Sequence, residues 1–146
     1  YVARTPHTPH LVATEPGMSR FLDKTLALAI TGSIAAYKSL DLVRALQKQG
    51  MARIYPLLTP SAAQFVTPLS LQMLTGQPVQ QHELSLDANQ QPAHITLARQ
   101  ADALLIHPAS ANTLAKLAHG LADNMVTTTA ITFTGKPVII APAMNT

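Results

Sequence analysis

Four short apolar runs, each about the length of one strand, constrain this chain more than any other feature. They are TLALAIT (25–31), ARIYPLLT (52–59), ADALLIHPA (101–109) and KPVIIAPA (136–143). None alternates apolar with polar residues over its length, as a strand with one wet face would. Continuous apolar runs of this length suit strands covered on both faces, which in practice means a parallel sheet between helical layers. The intervals carry helical signals. Ala36, Leu40, Val43 and Leu46 recur at helical spacing, with Lys48 and Gly50 as a basic end and a stop. Thr59-Pro60 and Thr67-Pro68 each fit an N-cap followed by proline at the first helical position. His94 to Gln100 fits a short helix, and Ser110 to Gly120 another, with Leu114, Leu117, Ala118 and Leu121 on one face. NMVTTTAITF (124–133) is open between strand, from its β-branched residues, and helix, from its position. Strand and helix thus alternate, which predicts an α/β, Rossmann-like (flavodoxin-like) three-layer parallel sheet. Pro56 is an awkward residue for a central strand.

The boundaries follow from composition. Residues 1–23 hold three prolines and no sustained periodicity, so they read as a disordered N-terminal extension, with Met18 a candidate natural start. Residues 24–146 read as one folded domain. The polar stretch 77–91 reads as a surface loop, in which Glu83 and Asp87 have no obvious partner. With 47% hydrophobic residues and a net charge of +3 without any long basic run, neither nucleic acid nor an anionic membrane is an expected partner. No apolar stretch reaches bilayer-spanning length, and the hallmarks of a secretory signal are missing, so the expected location is cytoplasmic. The chain has no cysteine, which excludes disulfides, thiolate metal sites and a cysteine nucleophile within it.

Ligands of open parallel sheets bind beyond the carboxyl ends of the strands, where strand order reverses. Four segments fall at such ends: Thr31 to Ile34, Thr59 to Ser61, Pro108 to Thr113, and Pro142 to Asn145. They are rich in hydroxyls, small residues and prolines. Gly32 allows close backbone approach, and Ser33 precedes a helix whose free N–H groups favour a phosphate. Each segment taken alone is equally an ordinary cap or turn. G-x-G-x-x-G after the first strand and G-x-x-x-x-G-K-[ST] are both absent, which argues against a standard NAD site and a P-loop. Flavin mononucleotide, with one phosphate and a planar ring, suits the remaining possibilities. His94 is the best acid–base candidate by intrinsic pKa, although its position also fits a helix-start histidine. His107 ends a strand beside the expected site and reads as a core or supporting histidine. Asp123 and Asn124 either cap the next helix or bind a ligand. No histidine or carboxylate grouping has metal-ligand spacing, so no metal is expected; His7 and His10 read as tail residues.

Four segments together resemble the flavin-containing cysteine decarboxylases: ITGSIAAYKSLDLVRAL (30–46), LTPSAAQFVTPLSLQMLTG (58–76), HITLARQADALLIHPASANTLAKLAHGLADNMVTT (94–128) and PVIIAPAMNT (137–146). PASANT, then G-x-A-D-N, then PAMN is a specific combination. Within the family the resemblance is best to the 4'-phosphopantothenoylcysteine decarboxylase domain of coenzyme A biosynthesis. It implies an FMN-binding domain that assembles as a homotrimer or multiples of trimers, with flavin near a subunit interface. By that resemblance Gly32, Ser33 and Ile34 form the first flavin-contacting turn, and Thr59 and Ser61 the second. Ala109, Ser110, Ala111, Asn112 and Thr113 line the flavin. His94 matches the active-site histidine, and Asn145 the asparagine that holds the substrate's cysteine carboxylate.

The implied reaction is FMN-dependent decarboxylation of 4'-phosphopantothenoylcysteine to 4'-phosphopantetheine. Flavin oxidation of the cysteinyl side creates an electron sink β to the carboxylate, and reduced flavin later returns the electrons. Reprotonation in the family relies on a cysteine in a C-terminal flap, which this sequence lacks. The expectation is therefore an N-terminal piece of a longer decarboxylase or decarboxylase–synthetase, incomplete at its C-terminus, short of a last strand and unable alone to complete the reductive half-reaction. His107 stands where the family usually has a small residue, and is expected to crowd or polarise the flavin pocket. Two other functions fit the same motifs: a non-catalytic flavoprotein regulatory subunit and a peptidyl-cysteine decarboxylase.

Overall fold

A computed structural model describes residues 21–144 apart from Glu83 and Ala88. The expected N-terminal extension lies almost wholly outside the described residues. Four strands, β1 (Thr25–Ile30), β2 (Arg53–Leu58), β3 (Ala103–Ala109) and β4 (Val138–Pro142), form one parallel sheet in the order β2-β1-β3-β4. Five helices connect them: α1 (Lys38–Lys48), α2 (Pro68–Thr75), α3 (Ala93–Gln100), α4 (Ala111–Ala118) and α5 (Met125–Thr132).

β1 shows why three layers form. All six of its residues are buried, and its two faces differ in size. Leu26, Leu28 and Ile30 join Val43 of α1 and Leu71 of α2 in one core cluster. Ala27 and Ala29 face the other way, toward Leu97 of α3 and Met125 and Val126 of α5. Period-two alternation thus survives in side-chain volume, because both faces are dry.

Pro56 is accommodated because β2 is an edge strand. Pro56 O accepts from Gln80 N–H, and Leu58 N–H donates to Gln80 O, both at 2.9 Å. In a parallel strand the N and O of one residue point the same way, so the missing Pro56 N–H faces away from β1 and no ladder bond is lost. Among its described residues the polar stretch 77–91 contains no helix or strand, although Gln80 makes this bridge to β2. Thr67 caps α2, accepting from Ser70 N–H at 3.2 Å, and Gly76 closes the helix at φ +66°.

Three expectations change, and the segment left open at 124–133 is decided. Thr59-Pro60 starts only a single 3-10 turn, Ala62–Gln64, since Thr67-Pro68 begins the next helix too soon for more. α4 stops at Ala118 and Gly120 turns the chain at φ +68°, leaving Leu121 52% exposed instead of on the helix face. The β-branched segment 124–133 becomes α5, because Asn124 starts it with a capping box. The run 136–143 does form a strand, but Val138, Ile139 and Ile140 are 40%, 52% and 42% exposed instead of buried. β4 pairs with β3 alone, so its outer side has no strand beside it among the described residues.

Candidate active site in the switch-point cleft

From β1 the chain passes to β2 on one side, then crosses to β3 on the other side of β1, so strand order reverses between β1 and β3. A cleft of about 640 Å³ opens there, within the range of small-molecule sites. One buried hydroxyl holds its two central walls together. Thr31 Oγ1 donates to Pro108 O at 2.6 Å and accepts from Ser110 N–H at 2.8 Å.

Gly32, Ser33 and Ile34 form the first wall. Ser33 caps the 3-10 turn Ile34–Tyr37 through Ala35 N–H at 3.3 Å. A β-carbon on Gly32 would collide with Ser61 Cβ, so close approach of the walls requires glycine. Thr59, Pro60, Ser61 and Phe65 form the second wall. Thr59 Oγ1 accepts from Ala62 N–H at 3.2 Å, while Ser61 makes no capping bond and lies on the cleft wall.

Ser110, Ala111, Asn112 and Thr113 make the third wall at the start of α4. Ser110 Oγ accepts from Thr113 N–H at 3.3 Å, and the N–H groups of Ala111 and Asn112 have no acceptor within the helix. Lys116, Asp123 and Asn124 close one rim, and Ala143 and Met144 another. Lys116 Nζ lies 2.6 Å from Asp123 Oδ2, and Asn124 Nδ2 donates to Asp123 Oδ1 at 2.9 Å. The Lys116 hydrogen bond holds the Asp123 carboxyl below the usual carboxylate range. Asn124 Oδ1 accepts from Val126 and Thr127 N–H, so one amide both caps α5 and steadies the rim.

The cleft therefore brings together Gly32, Ser33, Ile34, Thr59 and Ser61 with the segment Ser110 to Thr113. Other expected residues lie elsewhere. Ala109 is fully buried behind the third wall, and its carbonyl accepts from Ala143 N–H at 3.1 Å. His94 is the second residue of α3 and is not on the cleft wall. Asn145 lies outside the described residues. His107 does not crowd the cleft: its Nδ1 sits 3.2 Å from Ser39 Oγ on α1, because the strand turns its side chain toward that helix. Asp87 does have partners. Its Oδ2 accepts from Thr96 Oγ1 at 2.7 Å and its Oδ1 from Asn89 and Gln91 N–H, which lowers its pKa and ties the polar loop to α3. Ala143 and Met144, from the fourth expected segment, also line the cleft, whereas Phe65 and Lys116 belong to it but were not among the sequence candidates. An aromatic seven residues beyond the end of β2 was the available signal for Phe65.

The lining suits a flavin nucleotide. Hydroxyls and unpaired N–H groups at a helix start fit a phosphate. Ile34, Phe65 and Met144, 63%, 47% and 50% exposed, offer apolar surface to a planar ring. Among the described residues no helix is long and apolar enough to cross a membrane. Fold and cleft together define a doubly wound α/β domain of the kind that takes a nucleotide-like ligand at its switch point.

The chain belongs to the Flavoprotein family, whose family model matches residues 17–146. It is 49% identical over 126 residues to a probable phosphopantothenoylcysteine decarboxylase of Streptococcus mutans, covering 86% of this chain and 70% of that protein. It is 45% identical over 122 residues to the coenzyme A biosynthesis bifunctional protein CoaBC of Haemophilus influenzae, covering 84% of this chain but only 30% of that protein. Among solved structures, a PPC decarboxylase mutant complexed with pantothenoylaminoethenethiol matches with a TM-score of 0.74 and 36% identity, covering 84% and 68% of the two chains. The FMN-dependent cysteine decarboxylase TvaF from thioviridamide biosynthesis gives 0.75 and 35%, covering 84% and 74%.

Proposed function

We propose that this chain is the flavin-binding part of an FMN-dependent phosphopantothenoylcysteine decarboxylase of coenzyme A biosynthesis. The observation that carries the reading is the switch-point cleft, built from the same segments that carry the family resemblance, in a chain 49% identical to a protein of that name. Ser33, Ser61 and the start of α4 would hold the phosphate through hydroxyls and N–H groups. Ile34, Phe65 and the small residues Ala111 and Ala143 would pack on the ring and exclude water from it. The flavin, when bound, supplies the two-electron oxidation that turns the cysteinyl side of the substrate into an electron sink. Asn145 would orient the substrate carboxylate, and His94 would move a proton.

His94 lies off the cleft of its own chain, which supports assembly in which a neighbouring copy, as a homotrimer, brings its α3 to the flavin. A cytoplasmic location accords with this pathway. Purified protein should be yellow, release FMN on denaturation, and liberate carbon dioxide from 4'-phosphopantothenoylcysteine when the whole polypeptide is assayed. Colourless protein with no flavin in its extract would overturn the reading. A peptidyl-cysteine decarboxylase is the second reading, supported by a TM-score of 0.69 and 29% identity with the peptidyl-cysteine decarboxylase EpiD. Carbon dioxide release from a peptide ending in cysteine, without release from the pantothenoyl substrate, would establish that alternative.

A further inference from the structure

Lys116 and Asp123 are the only ionisable side chains on the described cleft wall, and they are bonded to each other. The wall thus presents no free cation to an anion, and the pair needs another explanation. With Asn124 it makes an ordered row. The Lys116 ammonium sits 2.6 Å from one carboxylate oxygen of Asp123, and the Asn124 amide nitrogen 2.9 Å from the other. Read along the rim, the row is donor, acceptor, donor. Each group has capacity to spare: two further ammonium hydrogens, a second amide hydrogen, and unused carboxylate lone pairs.

The row is also held in place. Asn124 is fixed by its capping bonds to α5, and the Lys116 side chain is only 23% exposed, so its stem lies against the protein while the 55%-exposed carboxylate projects. An ion pair this open contributes little by itself, and a ligand can share its groups without first overcoming a strong bond.

We propose that Lys116, Asp123 and Asn124 recognise an imide edge, an N–H flanked by two carbonyls, which presents acceptor, donor, acceptor. A flavin ring carries that edge on its pyrimidine side, at the end away from its dimethylbenzene ring. The assignment rests on the FMN reading and sharpens it: Asp123 takes the imide N–H, and Lys116 and Asn124 donate to the carbonyls on either side. An ammonium at that edge also favours the reduced ring, whose added negative charge is shared with the pyrimidine carbonyls.

The test compares FMN with FMN methylated at the imide nitrogen, by fluorescence titration of flavin-free protein. The unaltered protein should bind the methylated form at least tenfold more weakly. In Asp123→Ala, which leaves no acceptor for the imide N–H, that discrimination should collapse. In Lys116→Met the preference for reduced over oxidised FMN should fall about tenfold, read as a midpoint potential lower by about 30 mV for a two-electron couple. Asn124 is left unaltered, since its loss would uncap α5. Equal affinity of the unaltered protein for both flavins overturns the imide assignment and leaves FMN binding standing, whatever the variants do. Failure to bind FMN at all overturns the cofactor reading, and the assignment with it.

Discussion

Thr31 makes two buried bonds with one hydroxyl, donating to Pro108 O and accepting from Ser110 N–H, and so decides how far apart the central walls stand. Thr31→Val keeps the shape and strands both backbone groups. Unfolding in urea should show a loss of about 1–3 kcal/mol. Gly32→Ala acts by volume, pushing a β-carbon against Ser61, and should cost about 1–3 kcal/mol and weaken FMN binding. At this scale the sequence was legible where backbone logic applies. Gly32, Ser33 and Ser110 stand where a strand end meets a turn, and periodicity locates such points. Lys116 and Phe65 were not legible, because their place on the wall depends on how far α4 and the second turn reach over the sheet.

α3 has little of its own to hold it: eight residues, Pro92 at its start with no side-chain cap, and no glycine at its end. Its last turn is tied from outside. Lys136 Nζ donates to the carbonyls of Ala98, Arg99 and Ala101 at 2.9, 2.7 and 2.8 Å, and sits 5.6 Å from the centre of the Phe133 ring. Lys136→Met should destabilise the fold by about 1–2 kcal/mol and speed amide exchange in the last turn of α3 before that of α1. Asp102 ties strand starts in the same manner. Its carboxylate accepts from Thr25 N–H at 2.8 Å and from Lys24, and those bonds lower its pKa from 3.8. The unfolded chain then binds more protons between the folded and ordinary values. The stabilisation is complete above the ordinary value and disappears as pH falls through the folded one. Urea midpoints followed into acid should therefore drop less steeply for Asp102→Asn. Elements were largely readable from apolar spacing, and α5 was ambiguous because its β-branched composition and the Asn124 cap point opposite ways. The cap prevailed, with Met125, Val126, Thr127 and Thr129 buried.

The whole molecule is a sheet covered on both faces whose two edges differ. The exposure of β4 could not be read from PVIIAP, since an apolar run looks the same whether or not a neighbour lies beside it. Val138, Ile139 and Ile140 leave β4 apolar and exposed, and the 146-residue chain should self-associate with rising concentration. Ile139→Lys should lower light scattering without changing the unfolding midpoint measured at high dilution; unchanged scattering would locate the association elsewhere. The opposite margin has no such freedom. Pro56 offers no N–H there, and the two polar groups beside it are already engaged by Gln80. The sheet therefore has a direction, stopped at β2 and receptive at β4. Any strand joining it, from the same polypeptide or from another, has one side on which to dock, and whatever docks there comes to lie beside Ala143 and Met144 on the rim of the cleft.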